Sequence, residues 1–422
     1  MATPVFCCGA ECGRLGDAAT FTVHWGASTA WTVSTTTVRS GARSFRYNPT
    51  ASNSTLFGDG SGDISSTTKV WREYIRFATL PDADCIVSWF NYGGVSAAGV
   101  GFKVSDSKLY SAVEVGGVIT FGASGVSVTT GQWYRVDAKT VGSVVTGTSD
   151  VQIDGSACGQ ATGAFASDSA TAPERGSNSV NITADIFFED YLLSRTGADY
   201  PLGAGYVNHF IPTADGTHNI AGANDYERGT LGTDITNATT DAYLLIDEVP
   251  LDDTTPDADD FINQTLPTTG SYTEHIFGPA AGITTPTTGP RTVECIIGIH
   301  QAGTGTGNMQ VRLNDNGAMG TIYDVTTVAG TTTITYKRAH FADPPSAASV
   351  WNAANDGGDG DFRDVRIRFG SNVVDTNPDQ YLDCVMLEAE FAEVAAVDAL
   401  KLTRYMGVPH AVLGRTRIGR TW

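Results

Sequence analysis

Residues 385–391 read Val-Met-Leu-Glu-Ala-Glu-Phe. Val385, Leu387, Ala389 and Phe391 alternate with Met386, Glu388 and Glu390, a period of two that puts apolar side chains on one face of a strand and carboxylates on the other. The same period recurs outward along the chain. Val365, Ile367 and Phe369 alternate with Asp364, Arg366 and Arg368. Met309, Val311 and Leu313 alternate with Gln310 and Arg312, closed by Asn314-Asp315-Asn316-Gly317. Val151 and Ile153 lead into the turn Asp154-Gly155, and Val100, Phe102 and Val104 flank Gly101 and Lys103. Strands with one buried and one wetted face pair into antiparallel sheets, and two such sheets hide their apolar sides against each other. The expected fold class is therefore all-β: two tandem antiparallel β-sandwich domains with a short C-terminal extension. Helical periodicity is scarce, confined to Ser346–Ala354 and to Glu390–Tyr405, where a strand runs into a helical Ala/Val/Leu stretch.

Composition agrees. The chain of 422 residues holds 48 glycines and is only 17% charged, poor material for long helices. Its formal charge of −20 repels phosphate backbones, so nucleic acid is not an expected partner. No apolar run is long enough for a membrane-spanning helix, and the start, MATPVFCCGAECGRLG, has no secretory h-region. Tyr200-Pro201-Leu202-Gly203-Ala204-Gly205 reads as a joint. The expected organisation is an N-terminal segment 1–14, a sandwich 15–200, a linker 201–222, a second sandwich 223–395 and a basic tail 396–422. Residues 247–260, with seven acids in fourteen positions, read as a solvated loop. Both halves end in a strand carrying a Tyr/Asp pair, Asp190-Tyr191 and Tyr381-Leu382-Asp383.

Residues 40–47 (Ser-Gly-Ala-Arg-Ser-Phe-Arg-Tyr), 71–77 (Trp-Arg-Glu-Tyr-Ile-Arg-Phe), 131–136 (Gly-Gln-Trp-Tyr-Arg-Val) and 186–191 (Ile-Phe-Phe-Glu-Asp-Tyr) follow in an order that resembles a concanavalin A-like, laminin-G-like jelly roll over about residues 15–195. The passages Tyr200–Gly203 and Pro212–His218, and the second half through Asn377–Asp383, are similar to two-domain virion proteins of tailed bacteriophages. That resemblance implies a non-enzymatic structural component of a phage particle (capsid decoration, head fibre or tail-associated protein), assembled in the host cytoplasm among other virion proteins. The alternative is a carbohydrate-binding adhesin of the virion that recognises a host-surface glycan, with calcium as a possible ion.

Chemistry-bearing motifs are few. There is no Gly-Lys for a P-loop, no His-Glu-x-x-His and no Gly-x-Ser-x-Gly; Gly303-x-Gly305-x-Gly307 enters a strand and reads as a loop. Glycoside hydrolysis needs two carboxylates across a groove. Glu388 and Glu390 share a face and are the candidates, with a solvated strand face as the plainer reading. Glu189 and Asp190, adjacent on a strand, are expected on opposite faces. Asp356, Asp359 and Asp361, and separately Asp59 and Asp63, offer oxygen ligands in glycine-rich loops suited to calcium. Cys7, Cys8 and Cys12 lack a fourth zinc ligand and read as a packed or inter-subunit N-terminus, and His24 beside Trp25 reads as packed. Trp89, Tyr92, Tyr110 and Trp133 are candidates for stacking on sugar rings, with core packing as the alternative. In the tail, Lys401, Arg404, Arg415, Arg417 and Arg420 interleave with apolar residues and Trp422, and no acid falls in 399–422; this pattern reads as a docking arm for an acidic neighbour. Exposed sheet edges favour a homo-oligomer, a trimer by analogy.

Overall fold

The computed structural model describes residues 4–10, 15, 21–26, 28–58, 66–170, 173–222, 225–229, 233–247, 261–264, 268, 270–280, 283, 288–301, 308–315, 317–326, 334–341, 343–345, 351, 362, 365–370 and 380–393. Several predicted features fall outside them: the tail cations with Trp422, the aspartates of both candidate calcium loops, Cys12, the Gly303–Gly307 loop and nearly all of 247–260 and 346–354. The same holds for the side chains of His24 and Trp25.

The described residues are built from β-strands with three short 3-10 turns. In the first half, a nine-stranded antiparallel sheet faces a seven-stranded one. The central strand of the larger sheet, Thr68–Thr79, lies between Trp133–Val141 and Asp185–Ser194. It sends Trp71, Ile75 and Phe77 inward, as its alternation dictates. There Trp71 meets Phe90 with ring centroids 5.1 Å apart, and Phe77 meets Phe102 at 5.9 Å. The smaller sheet is a meander, Cys85–Asn91, Ser96–Lys103, Lys108–Val115 and Val118–Ser127, continued on its other side by Pro173–Ile182 and Ser52–Gly58. One ion pair lies inside this core. Glu73 accepts from Arg175 at 2.6 Å, both almost completely buried, and from the Trp71 indole at 3.3 Å.

The second half is also a two-layered β-sandwich, but its strands belong to one continuous eleven-stranded sheet folded over its own core. Val293, Cys295, Ile297, Ile299, Leu387 and Phe391 meet Val311, Ile367 and Phe369 across it. The strand Gly205–Asp215 joins the layers, pairing through 205–210 with Gln380–Ala392 and through 210–215 with Tyr272–Pro279.

Two boundaries differ from expectation. The predicted linker 201–222 contains that eleven-residue strand. Pro212 disguises it, because proline is tolerated in a strand at a bulge, and the register shifts between Pro212 and Ala214. The segment 1–14 is likewise not detached. Pro4–Cys8 pairs with Asp185–Ser194, Cys7 opposite Leu192 and Cys8 opposite Tyr191, and the apolar Phe6, Cys7 and Cys8 are buried there.

Residues 380–391 are buried at every position, inward and outward alike. The outward face expected to meet water is covered at Glu388 and Glu390 by the first sandwich and its N-terminal strand, and at Cys384 and Met386 by Ile296, Ile334 and Tyr336 of the second half. By contrast, Val365–Gly370 and Gly147–Ile153 keep the alternation of buried and half-buried positions.

Candidate functional site

A buried polar cluster lies at this junction. Glu390 and Glu388 project from the outward face of Gln380–Ala392, and Glu294 projects from the neighbouring strand Thr292–Gln301, directly opposite Glu388. All three are fully buried. Glu390 receives Arg72 from the first sandwich, Nη1 to Oε1 at 2.6 Å, both side chains fully buried. Arg291 completes the carboxylate, with Nε donating to Oε2 at 2.6 Å and Nη2 to Oε1. Its remaining arm donates to the Leu202 carbonyl at 2.7 Å. Glu388 accepts from Arg338 at 3.3 Å and from the Gly9 amide at 3.4 Å. Burial holds the Glu388 carboxyl above its ordinary range, while Arg338 pulls it back down. Glu294 contacts His340 at 2.7 Å and accepts from the Cys7 amide at 3.4 Å. Burial, with Glu294 and Glu388 nearby, pushes the Cys7 thiol well up. Around these charges Cys7, Val70, Leu192, Leu202 and Val207 form an apolar seal.

Asp190 closes the network from the first sandwich. The register of Asp185–Ser194 slips between Glu189 and Leu192, and Asp190 sits at φ 55° in the left-handed region that aspartate tolerates. This bulge corrects the expectation that Glu189 and Asp190 point apart. Both reach the 39–40 turn: Glu189 accepts from the Arg39 and Ser40 amides at 2.6 and 2.7 Å, and Asp190 accepts from Ser40 Oγ at 2.7 Å and Arg39 Nη1 at 2.6 Å. Asp190 also accepts from the Val207 amide at 2.6 Å, and its own carbonyl accepts from Arg72. Gln380–Ala392 has a matching bulge, with Asp383 as the extra residue between Leu382 and Cys384. There Asp383 holds His300 at 2.8 Å, and His300 stacks on Tyr381 with centroids 4.3 Å apart.

Chemically, these carboxylates are positioned as bolts. Glu388 and Glu390 do share a face as expected, yet each is closed off from solvent and occupied by guanidinium groups, the reverse of an acid/base pair around a substrate.

The four aromatic candidates do not converge. Tyr92 is in the core, stacked on Phe165 at 4.8 Å with its hydroxyl 2.7 Å from Thr140 Oγ1. Its place at the end of a strand gives no sign of this. Trp89 is buried in a small cluster with Ile86, Ala97 and Ala112 on the far face of the seven-stranded sheet. Burial therefore removes both rings as solvent-facing platforms. Tyr110, buried as well, shares that face, with Phe121 at 5.5 Å, its hydroxyl donating to Asp106 at 2.6 Å, and Lys103 5.7 Å over its ring. Half-buried Trp133 stands on the other sheet, opposite Arg76. Next to Trp89 in register is Glu174, a residue the sequence did not single out. Burial pushes its carboxyl up to about 7, against a hydrogen bond from Asn91. Among the described residues no group of three or more His, Cys, Asp or Glu side chains is arranged to hold a metal.

No family model and no curated protein matches the chain. Among solved structures it is similar to the carbohydrate-binding module CBM66 from Bacillus subtilis, at 10% identity over 43% of this chain and 98% of that one, TM-score 0.30. It is similar to the CBM22-1–CBM22-2 tandem of Paenibacillus barcinonensis Xyn10C at 10% identity over 92% and 97%, TM-score 0.26. A Trypanosoma rangeli sialidase matches at 11% identity over 39% of this chain and only 27% of its own length, TM-score 0.29. At these scores the likeness carries no argument, and the β-sandwich assignment rests on the sheets themselves.

Proposed function

We propose that this chain is a non-enzymatic structural protein, two acidic β-sandwiches held as one unit for display on an assembled particle. The observation that supports it is the fate of Glu388 and Glu390. The best-placed carboxylate pair in the sequence is buried and neutralised by Arg72, Arg291 and Arg338, where it ties the sandwiches together. The resemblance to tailed-phage virion proteins makes a bacteriophage particle the proposed setting, with other virion proteins as partners and the basic tail as the docking arm. Deleting residues 399–422 from the full chain is expected to abolish incorporation into particles while the sandwiches stay folded. Normal incorporation of the truncated chain would overturn the docking role.

A second reading, a glycan-binding adhesin, draws on one observation: half-buried Phe121 packs on the buried Tyr110 ring beside Lys103 and Asp106 on the outer face of the seven-stranded sheet, a partly exposed apolar plane with a polar rim of the kind sugars use. A glycan array probed with and without chelator separates the two readings, and silence in both conditions removes the second.

A further inference from the structure

Exposed apolar side chains are concentrated at one end of the first sandwich. Of the seven large hydrophobic residues exposed among the described residues, Val95, Val115, Val118, Val144 and Val145 sit on a single rim, exposed by 36–78%. Direct contacts tie the rim together. The Gly116 amide donates to the Val95 carbonyl at 2.9 Å, and Val115 pairs with Val118 across the hairpin. The Ala166 amide donates to Ser96 Oγ at 3.2 Å, the Phe165 amide to the Ser143 carbonyl at 3.0 Å, and the Val144 amide to Asp168 at 2.7 Å. Asp168 is the only charged residue in 92–96, 115–118, 141–147 and 163–168, on a chain of net charge −20. The rim runs directly into Val118–Ser127, the edge strand of the seven-stranded sheet. That strand reads Val-Ile-Thr-Phe-Gly-Ala-Ser-Gly-Val-Ser, without a charge or a proline. The Gly159 amide takes the Ser124 carbonyl at 3.0 Å. Val118–Phe121, among the described residues, pair only with Lys108–Val115.

We infer that this rim and edge form a two-fold contact with a second copy of this chain, in which the edge strands pair antiparallel and the valines close over each other. Three arguments select this occupant. Proteins that stay monomeric protect an edge strand with lysine, proline, an inward charge, a bulge or a covering loop; here the bulge between Phe121 and Gly125 and the Gly159 backbone against Ser124 guard only the far half of the strand, and Val118–Phe121 carries no charge and no proline. Two strongly acidic molecules approach with least repulsion where each is uncharged, and a two-fold axis through the rim keeps the acidic bodies apart. The valines alone offer roughly 400 Å² of surface, the size of the largest apolar patch on an ordinary monomer, a patch that is often functional. A stable pair needs about 800 Å² per partner, and continuing the sheet across the axis adds buried strand surface and backbone hydrogen bonds. A lipid surface is the weaker fit, because the rim has neither the basic nor the aromatic residues that hold a loop at a bilayer interface. The inference stands apart from the particle reading.

The test is sedimentation equilibrium of the full chain, alongside the double variant Val118→Asp/Val145→Asp and a control, Val104→Asp, at an exposed valine outside the rim. The expected result is a concentration-dependent dimer whose dissociation constant rises on the order of 100-fold in the rim variant, because two unpaired carboxylates from each copy would have to be buried, and is unchanged in the control. An unchanged thermal transition shows that the rim variant is folded. A chain that remains monomeric at every concentration, or an association that the rim variant leaves intact, overturns the proposal. So does a monomer that floats with neutral phosphatidylcholine vesicles in a rim-dependent way.

Discussion

At the scale of single residues, Glu390 is the charge on which the two sandwiches meet. Arg72 and Arg291 both terminate on it, and Arg72 is fully buried. Removing one partner of a buried pair leaves the other charge uncompensated. Glu390→Ala is therefore expected to cost about 3–5 kcal/mol of unfolding free energy in chemical denaturation. Arg72→Met/Glu390→Leu, which removes both charges, is expected to recover most of it. A double variant as unstable as the single one would show that packing, and not charge, holds the junction. Glu174 gives a pH signature of opposite character. Its carboxyl is raised to about 7, so the folded state holds its proton where an unfolded glutamate, near 4.5, has lost it. Stability from this group is complete below about pH 4.5 and is lost as pH rises toward 7. The wild type should lose about 2–3 kcal/mol over that window relative to Glu174→Gln, read as the difference between the two stability–pH curves. Parallel curves would mean that the Glu174 carboxyl is solvated.

Elements show where sequence patterning stops being enough. Strands with strict alternation, such as Val365–Gly370 and Gly147–Ile153, were legible, because each buries one face only. Pro173–Ile182, Pro-Glu-Arg-Gly-Ser-Asn-Ser-Val-Asn-Ile, has low β-propensity and no apolar period. It is a strand because Ser52–Gly58 and Cys85–Asn91 flank it with backbone partners and because Glu73 takes Arg175 inside the core. The bulge at Asp190 was equally silent, since a one-residue insertion changes facing without changing composition. Pro4–Cys8 shows the reverse case, a terminal segment with an architectural role. It pairs with Asp185–Ser194 and covers Glu294 and Glu388. Deleting residues 1–10 is expected to lower the melting temperature by roughly 5–10 °C and to open the chain near Tyr200 to limited proteolysis. A deletion that melts and digests like the full chain would show that this strand is an ornament.

For the whole molecule, the junction predicts cooperativity. Residues 1–392 form one compact unit, with Arg72, Asp190 and the 200–205 segment bonded to the second sandwich. Calorimetry of the full chain should give a single transition, insensitive to salt because the pairs are buried. Arg72→Ala is expected to split it into two, one per sandwich. Two transitions in the wild type would mean that the sandwiches melt independently. The candidate site was half legible at this scale. Alternation correctly put Glu388 and Glu390 on one face but assigned that face to water, and of the four aromatic candidates for sugar stacking Trp89, Tyr92 and Tyr110 are buried, the core alternative. By itself the sequence determined the all-β class, the two-sandwich plan, most strand positions and the inward faces, because each follows from local periodicity and turn chemistry. Only the tertiary structure decided which outward faces stay wet, where bulges re-aim carboxylates, and which arginine meets which glutamate. Those depend on contacts between residues hundreds of positions apart, such as Arg72 and Glu390, and a period of two within one strand contains no information about what lies across its outer face.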